Sequence, residues 1–150
     1  MSDLAPQHAR RARRSVPDIG DTRSNARERA LALLYEAEMK HLVPSQVLAE
    51  LVVAPDAYVV ALVEGVSAQR ARIDQLLAAA AVGWEVGRMA MLDRNVMRIA
   101  VYELLEHPEV PTAVVLDEAV ELAKRFSTEQ SGGFVNGVLA TIARQVRPEP

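Results

Sequence analysis

The chain contains no cysteine. Disulfides, thiolate zinc sites, iron–sulfur clusters and thiol nucleophiles are thereby excluded together. Histidine is scarce: His8, His41 and His107 are the whole set, and they have no metal-ligand spacing. Aromatic residues make up 4% of the 150 positions, and lysine is confined to Lys40 and Lys124, so nearly every cation is an arginine. Long apolar runs are missing. The longest uncharged stretch, Gln130 to Ala143, is 14 residues with three glycines, short of the ~20 that cross a bilayer. The arginines near the start lead into no apolar segment of the secretory kind. No H-E-x-x-H, G-x-S-x-G or P-loop pattern occurs. The glycine cluster Gly132-Gly133-Phe134-Val135-Asn136-Gly137 lacks the Lys-Ser/Thr pair of a phosphate-binding loop. These absences lead us to expect a soluble cytoplasmic protein that is no enzyme and uses no metal or cofactor.

What is present is an ordinary globular composition, half hydrophobic and a quarter charged. A domain of this length buries roughly 70% of its unfolded surface, enough for one core without staples. Charge is unevenly placed. Residues 1–29 hold seven arginines against four acids, whereas the remainder is acidic and brings the net charge to −3. A basic arm on an acidic body suits either a localised anion-binding site or a solubilising tail.

Residues 1–22 show no sustained apolar period and contain Pro6, Pro17 and Gly20, so they are expected to form a flexible Arg-rich arm. From Ser24 the helical period takes over, with Ser24 or Asn25 as the expected cap. Ala30, Leu33, Leu34 and Ala37 form the first stripe. Pro44 opens a short helix to about Val53, and Pro55 a long one to about Ala81 with Gly65 as a bend. Further stripes begin at Leu92 and after Pro111. Glu129 to Gly133 is expected to be a break before a last helix with Ser131 as its cap. The expected fold is all-α, a bundle of about six or seven helices over residues 23–150.

Two places suit a chain of phosphates. Arg23 and Arg27 lie one helical turn apart at the start of the first helix, so their side chains point the same way. Tyr35, two turns on, is either an RNA contact or half-buried core with a wet hydroxyl. The second place is the entry to the last helix. There Ser131 and the glycines admit a ligand backbone, Phe134 offers a ring and Asn136 a base-edge amide. Packing of another helix over Gly137 is the preferred explanation for that glycine. Glu103 falls on an apolar stripe and is expected to be buried in an ion pair with a nearby arginine such as Arg98.

Four stretches together resemble the NusB family of bacterial transcription antitermination factors. They are Asn25-Ala26-Arg27-Glu28-Arg29-Ala30-Leu31-Ala32-Leu33-Leu34-Tyr35-Glu36, Arg98-Ile99-Ala100-Val101-Tyr102-Glu103-Leu104, Asp117-Glu118-Ala119-Val120-Glu121-Leu122-Ala123-Lys124 and Phe134-Val135-Asn136-Gly137-Val138-Leu139. The resemblance implies an all-helical bundle in two small subdomains. It implies binding to the boxA element of nascent ribosomal RNA transcripts together with NusE, a small-subunit ribosomal protein. NusA, NusG and RNA polymerase would complete the antitermination complex, and a homodimer is compatible with such a bundle. Carried onto this chain, the RNA contacts are Arg23, Arg27, Tyr35, Gln130, Ser131, Phe134 and Asn136, and Asp93 lies near the NusE surface. Ser24 and Asn25 interrupt the basic run usual in the family, so Arg10, Arg11, Arg13 and Arg14 are expected to supply phosphate contacts from the arm. The same bundle resembles the N-terminal part of some ribosomal RNA cytosine methyltransferases. A module that binds only protein is the third reading.

Overall fold

The computed structural model describes residues 19–149, with side chains from Thr22 onward. The arm expected over 1–22 therefore falls mostly outside the described residues. Seven α-helices and one 3-10 turn account for the regular structure, and no strand occurs among the described residues. The helices are α1 (Ile19–Lys40), α2 (Pro44–Ala49), α3 (Ala57–Ala68), α4 (Arg70–Ala80), α5 (Met91–Glu106), α6 (Thr112–Phe126) and α7 (Glu129–Val146).

The centre of the bundle is α5. It packs against α1, α3, α4, α6 and α7, and ten of its residues are buried. The first three helices form one group around it, and α6 and α7 pair closely to form the other. One continuous apolar cluster runs through both groups, from Ala26 to Ala143.

Several boundaries differ from the sequence expectation. The first helix is already formed at Ile19, where the described residues begin, and Ser24 lies inside it, where its hydroxyl donates to the Glu118 carboxylate rather than capping. The second short helix stops at Ala49, leaving Val52 and Val53 exposed in the following loop. The long segment breaks at Gln69, not at Gly65. Gly65 serves a different purpose: a Cβ there would lie 2.1 Å from the Tyr102 ring, so any side chain at this position must displace that ring from between α3 and α5. The last helix begins at Glu129. Thr128, not Ser131, is the N-cap; its hydroxyl accepts the Ser131 N–H at 3.1 Å. Residues expected to be a break thus form the first turn of α7.

Helix ends are fixed by specific residues. His41 adopts a left-handed φ of 55°, and the Leu42 N–H reaches back to the Ala37 carbonyl at 2.9 Å, a Schellman-type stop normally made with glycine. At the end of α5, the Arg147 guanidinium donates to the carbonyls of Glu103, Leu104 and His107 at 2.8–3.1 Å. The Glu103 and His107 carbonyls also accept the backbone N–H groups of His107 and Val110, so Arg147 adds second donors to the helix end.

Candidate nucleic-acid interface

Arg23 and Arg27 do project to the same side of α1, as their spacing requires, but they meet different surroundings. Arg27 is 2% exposed. Its Nε and Nη2 donate to the two Glu103 carboxylate oxygens at 2.7 and 2.9 Å, a bidentate pairing. Nη1 stands 3.2 Å from Glu118 Oε1, close enough for ionic attraction but not placed for a hydrogen bond. Burial opposes the charge on Arg27, yet the bond and charge of Glu103 outweigh it and hold its pKa above the ordinary value. Tyr58 Oη donates to Glu103 Oε2 at 2.5 Å. Burial and that bond push the phenol's pKa up. Glu103 is therefore buried in an ion pair as expected, but its partner is Arg27 and not Arg98. Positions 98 and 103 are about 140° apart around a helix, so they cannot share a face. Arg98 instead binds Asp74 at 2.8 Å and Glu38 at 3.0 Å.

Arg23 sits above this pair. Its guanidinium lies 4.8 Å from the Tyr58 ring centroid and 3.3 Å from Glu109. Glu109 is exposed, and pairs of this kind hold weakly in water, so Arg23 is free to exchange Glu109 for a phosphate. Arg29, which motif reading passed over, is exposed on the same helix.

Tyr35 is 39% exposed. With Leu31, Ala32, Leu92, Phe126 and Glu28 it lines an open apolar groove of about 300 Å³ where α1, α5 and α6 meet. Phe126 was not anticipated, although it ends α6 on the same stripe as Ala119 and Ala123, seven and three positions earlier.

The entry to α7 forms a third locus. Ser131 is buried and its hydroxyl donates to Asp93 Oδ2 at 3.0 Å. Asp93 is itself 8% exposed, so this pair locks the start of α7 to the start of α5. Both residues are buried in the free protein. Gln130 is exposed. Phe134 is half-buried and packs on Trp84, with ring centroids 5.5 Å apart. Asn136 is exposed but lies about 160° around the helix from Phe134, so the two do not share a face. Among the described residues nothing packs over Gly137: a Cβ there would meet no atom within 4 Å. The helix-packing explanation for this glycine is therefore overturned.

Comparison with known proteins decides the family. The NusB family model matches residues 24–144. The chain belongs to the NusB family. Among relatives named transcription antitermination protein NusB, that of Acidothermus cellulolyticus is 50% identical over 124 residues, covering 80% of this chain and 86% of its own. That of Salinispora tropica is 48% identical over 128 residues, covering 81% and 94%. Among solved structures, T. maritima NusB superposes with a TM-score of 0.75 at 33% identity, covering 82% of this chain and 91% of that one. A complex of antitermination factors NusB and NusE with double-stranded RNA gives a TM-score of 0.69 at 27% identity, covering 82% and 96%. The all-α bundle expected from the sequence is the fold of this family.

Proposed function

We propose that this protein is a transcription antitermination factor that binds boxA RNA of nascent ribosomal RNA transcripts together with NusE. The observation that carries the reading is the family match across residues 24–144, joined to a relative solved with NusE and RNA. The protein acts by binding rather than by catalysis, in the cytoplasm, where the transcript emerges. NusA, NusG and RNA polymerase are the further components it joins. Tyr35, part-exposed in the apolar groove beside Phe126, offers its ring to the RNA.

The geometry refines the residue roles. Arg23 and the exposed Arg29 contact phosphate, whereas Arg27 holds α1 against α5 so that they can. Asp93 and Ser131 position the α7 entry, and Gln130 and Phe134 meet the RNA. Asn136 contacts RNA only where the strand wraps to the far side of α7. The arginines of residues 1–22 add phosphate contacts.

Mixing the protein with NusE and a boxA RNA, followed by size-exclusion chromatography at two salt concentrations, tests this. One ternary peak that falls apart as salt rises is expected, because arginine–phosphate contacts release counterions. RNA eluting alone at low salt, with NusE present, contradicts the reading.

A further inference from the structure

Trp84 is the only tryptophan in the chain, and it is 56% exposed. Its one ring contact is Phe134, tilted by 59° at 5.5 Å. A tilted pair leaves part of each ring face open. On α7, helical geometry places Gln130, Gly133, Gly137 and Arg144 within an arc of about 100° beside Phe134, and all four are exposed. A Cβ added at Gly133 or Gly137 would meet nothing within 4 Å. Two glycines inside a helix disfavour it relative to alanine, and no intramolecular packing here offsets that. They leave the backbone bare next to the aromatic pair. About two turns along the helix beyond Gly137, Arg144 donates to Thr141 Oγ1 at 3.3 Å and forms no ion pair among the described residues. No carboxylate shares the arc, and Glu85, beside Trp84, faces Arg88 at 3.6 Å.

Open ring faces accept any nucleobase, an amide reads a base edge, and an unpaired guanidinium takes a phosphate. An acid-free track that ends in a cation suits a polyanion. We propose that Trp84 and Phe134 stack one unpaired base of the bound RNA, whose backbone then passes over Gly133 and Gly137 to Arg144. This rests on the RNA-binding reading and adds to it Trp84, Arg144 and a path.

The test uses the full chain with NusE and a dye-labelled single-stranded boxA RNA. Anisotropy of the dye reports RNA binding, while emission of Trp84 reports its own surroundings. Quenching of Trp84 with the same midpoint as the anisotropy is expected. W84A should weaken binding about tenfold, and W84F much less. G137L fills the open track while favouring the helix, so it should raise the Tm yet weaken binding. Normal RNA affinity with unchanged Trp84 emission, and unaffected W84A and G137L variants, overturns the stacking proposal and leaves the RNA reading intact. Emission that responds to NusE alone assigns this face to protein and also overturns it. Absence of any anisotropy change overturns both.

Discussion

Replacing Arg27 with alanine leaves the Glu103 carboxylate buried with only Tyr58 to answer it. Breaking a buried pair from one side is expected to cost about 3–5 kcal/mol, while removing both charges together costs much less. Urea unfolding of R27A, E103A and an R27M/E103M double variant measures the difference. If R27A keeps full stability and loses only RNA affinity, Arg27 is a direct RNA contact instead. Two glycines give opposite predictions. G65A drives a methyl group into the Tyr102 ring and should destabilise by about 1–3 kcal/mol. G137A adds a methyl group to open space and should stabilise by about 0.5–1 kcal/mol. Thermal melts of both variants check the pair.

At the scale of elements, α5 is held at its two ends by different chemistry. Arg147 gathers the carbonyls at its C-terminal end, so R147A should speed amide exchange in the residues that follow, Glu106 to Val110. Near the other end, Glu38 of α1 binds Arg94, Asn95 and Arg98 of α5. Burial opposes its ionisation, but these donors outweigh it and hold the carboxyl below the ordinary value of 4.5. A carboxylate with a depressed folded pKa stabilises the fold above its unfolded pKa. That contribution is lost as pH falls through the depressed value. The Tm should therefore fall steeply below pH 4.5, and E38Q should flatten that slope; equal slopes would contradict the assignment. The stripes that made these helices were legible in the sequence because burial imposes the 3.6-residue period. Their ends were less so, because several residues could cap locally: Thr128 and Ser131 both suit the start of α7, and only the geometry shows Thr128 accepting the Ser131 N–H. Ser24 could have capped α1 but meets Glu118, 94 positions away. Distance in the chain likewise hid the partner of Glu103. Spacing placed Arg27 and Arg23 on one side but gave no sign that one would be buried and the other left at the surface.

For the whole molecule, the Arg-rich first 29 residues and the acidic remainder carry opposite net charge. Deleting residues 1–14 removes Arg10, Arg11, Arg13 and Arg14. If these bind phosphate, RNA affinity should drop and its salt dependence should flatten. Unchanged affinity at low salt would make the arm a solubilising tail. The family resemblance could be read from four ordered stretches, whereas the surfaces could not, since Trp84 and Arg29 belong to no apolar stripe. The most direct test of the central claim is fluorescence anisotropy of a labelled boxA RNA against a scrambled control, with and without NusE, at two salt concentrations. We predict selective binding that NusE strengthens and salt weakens. Equal binding of the two RNAs in the presence of NusE would contradict the account and leave the chain sharing only its fold with antitermination factors.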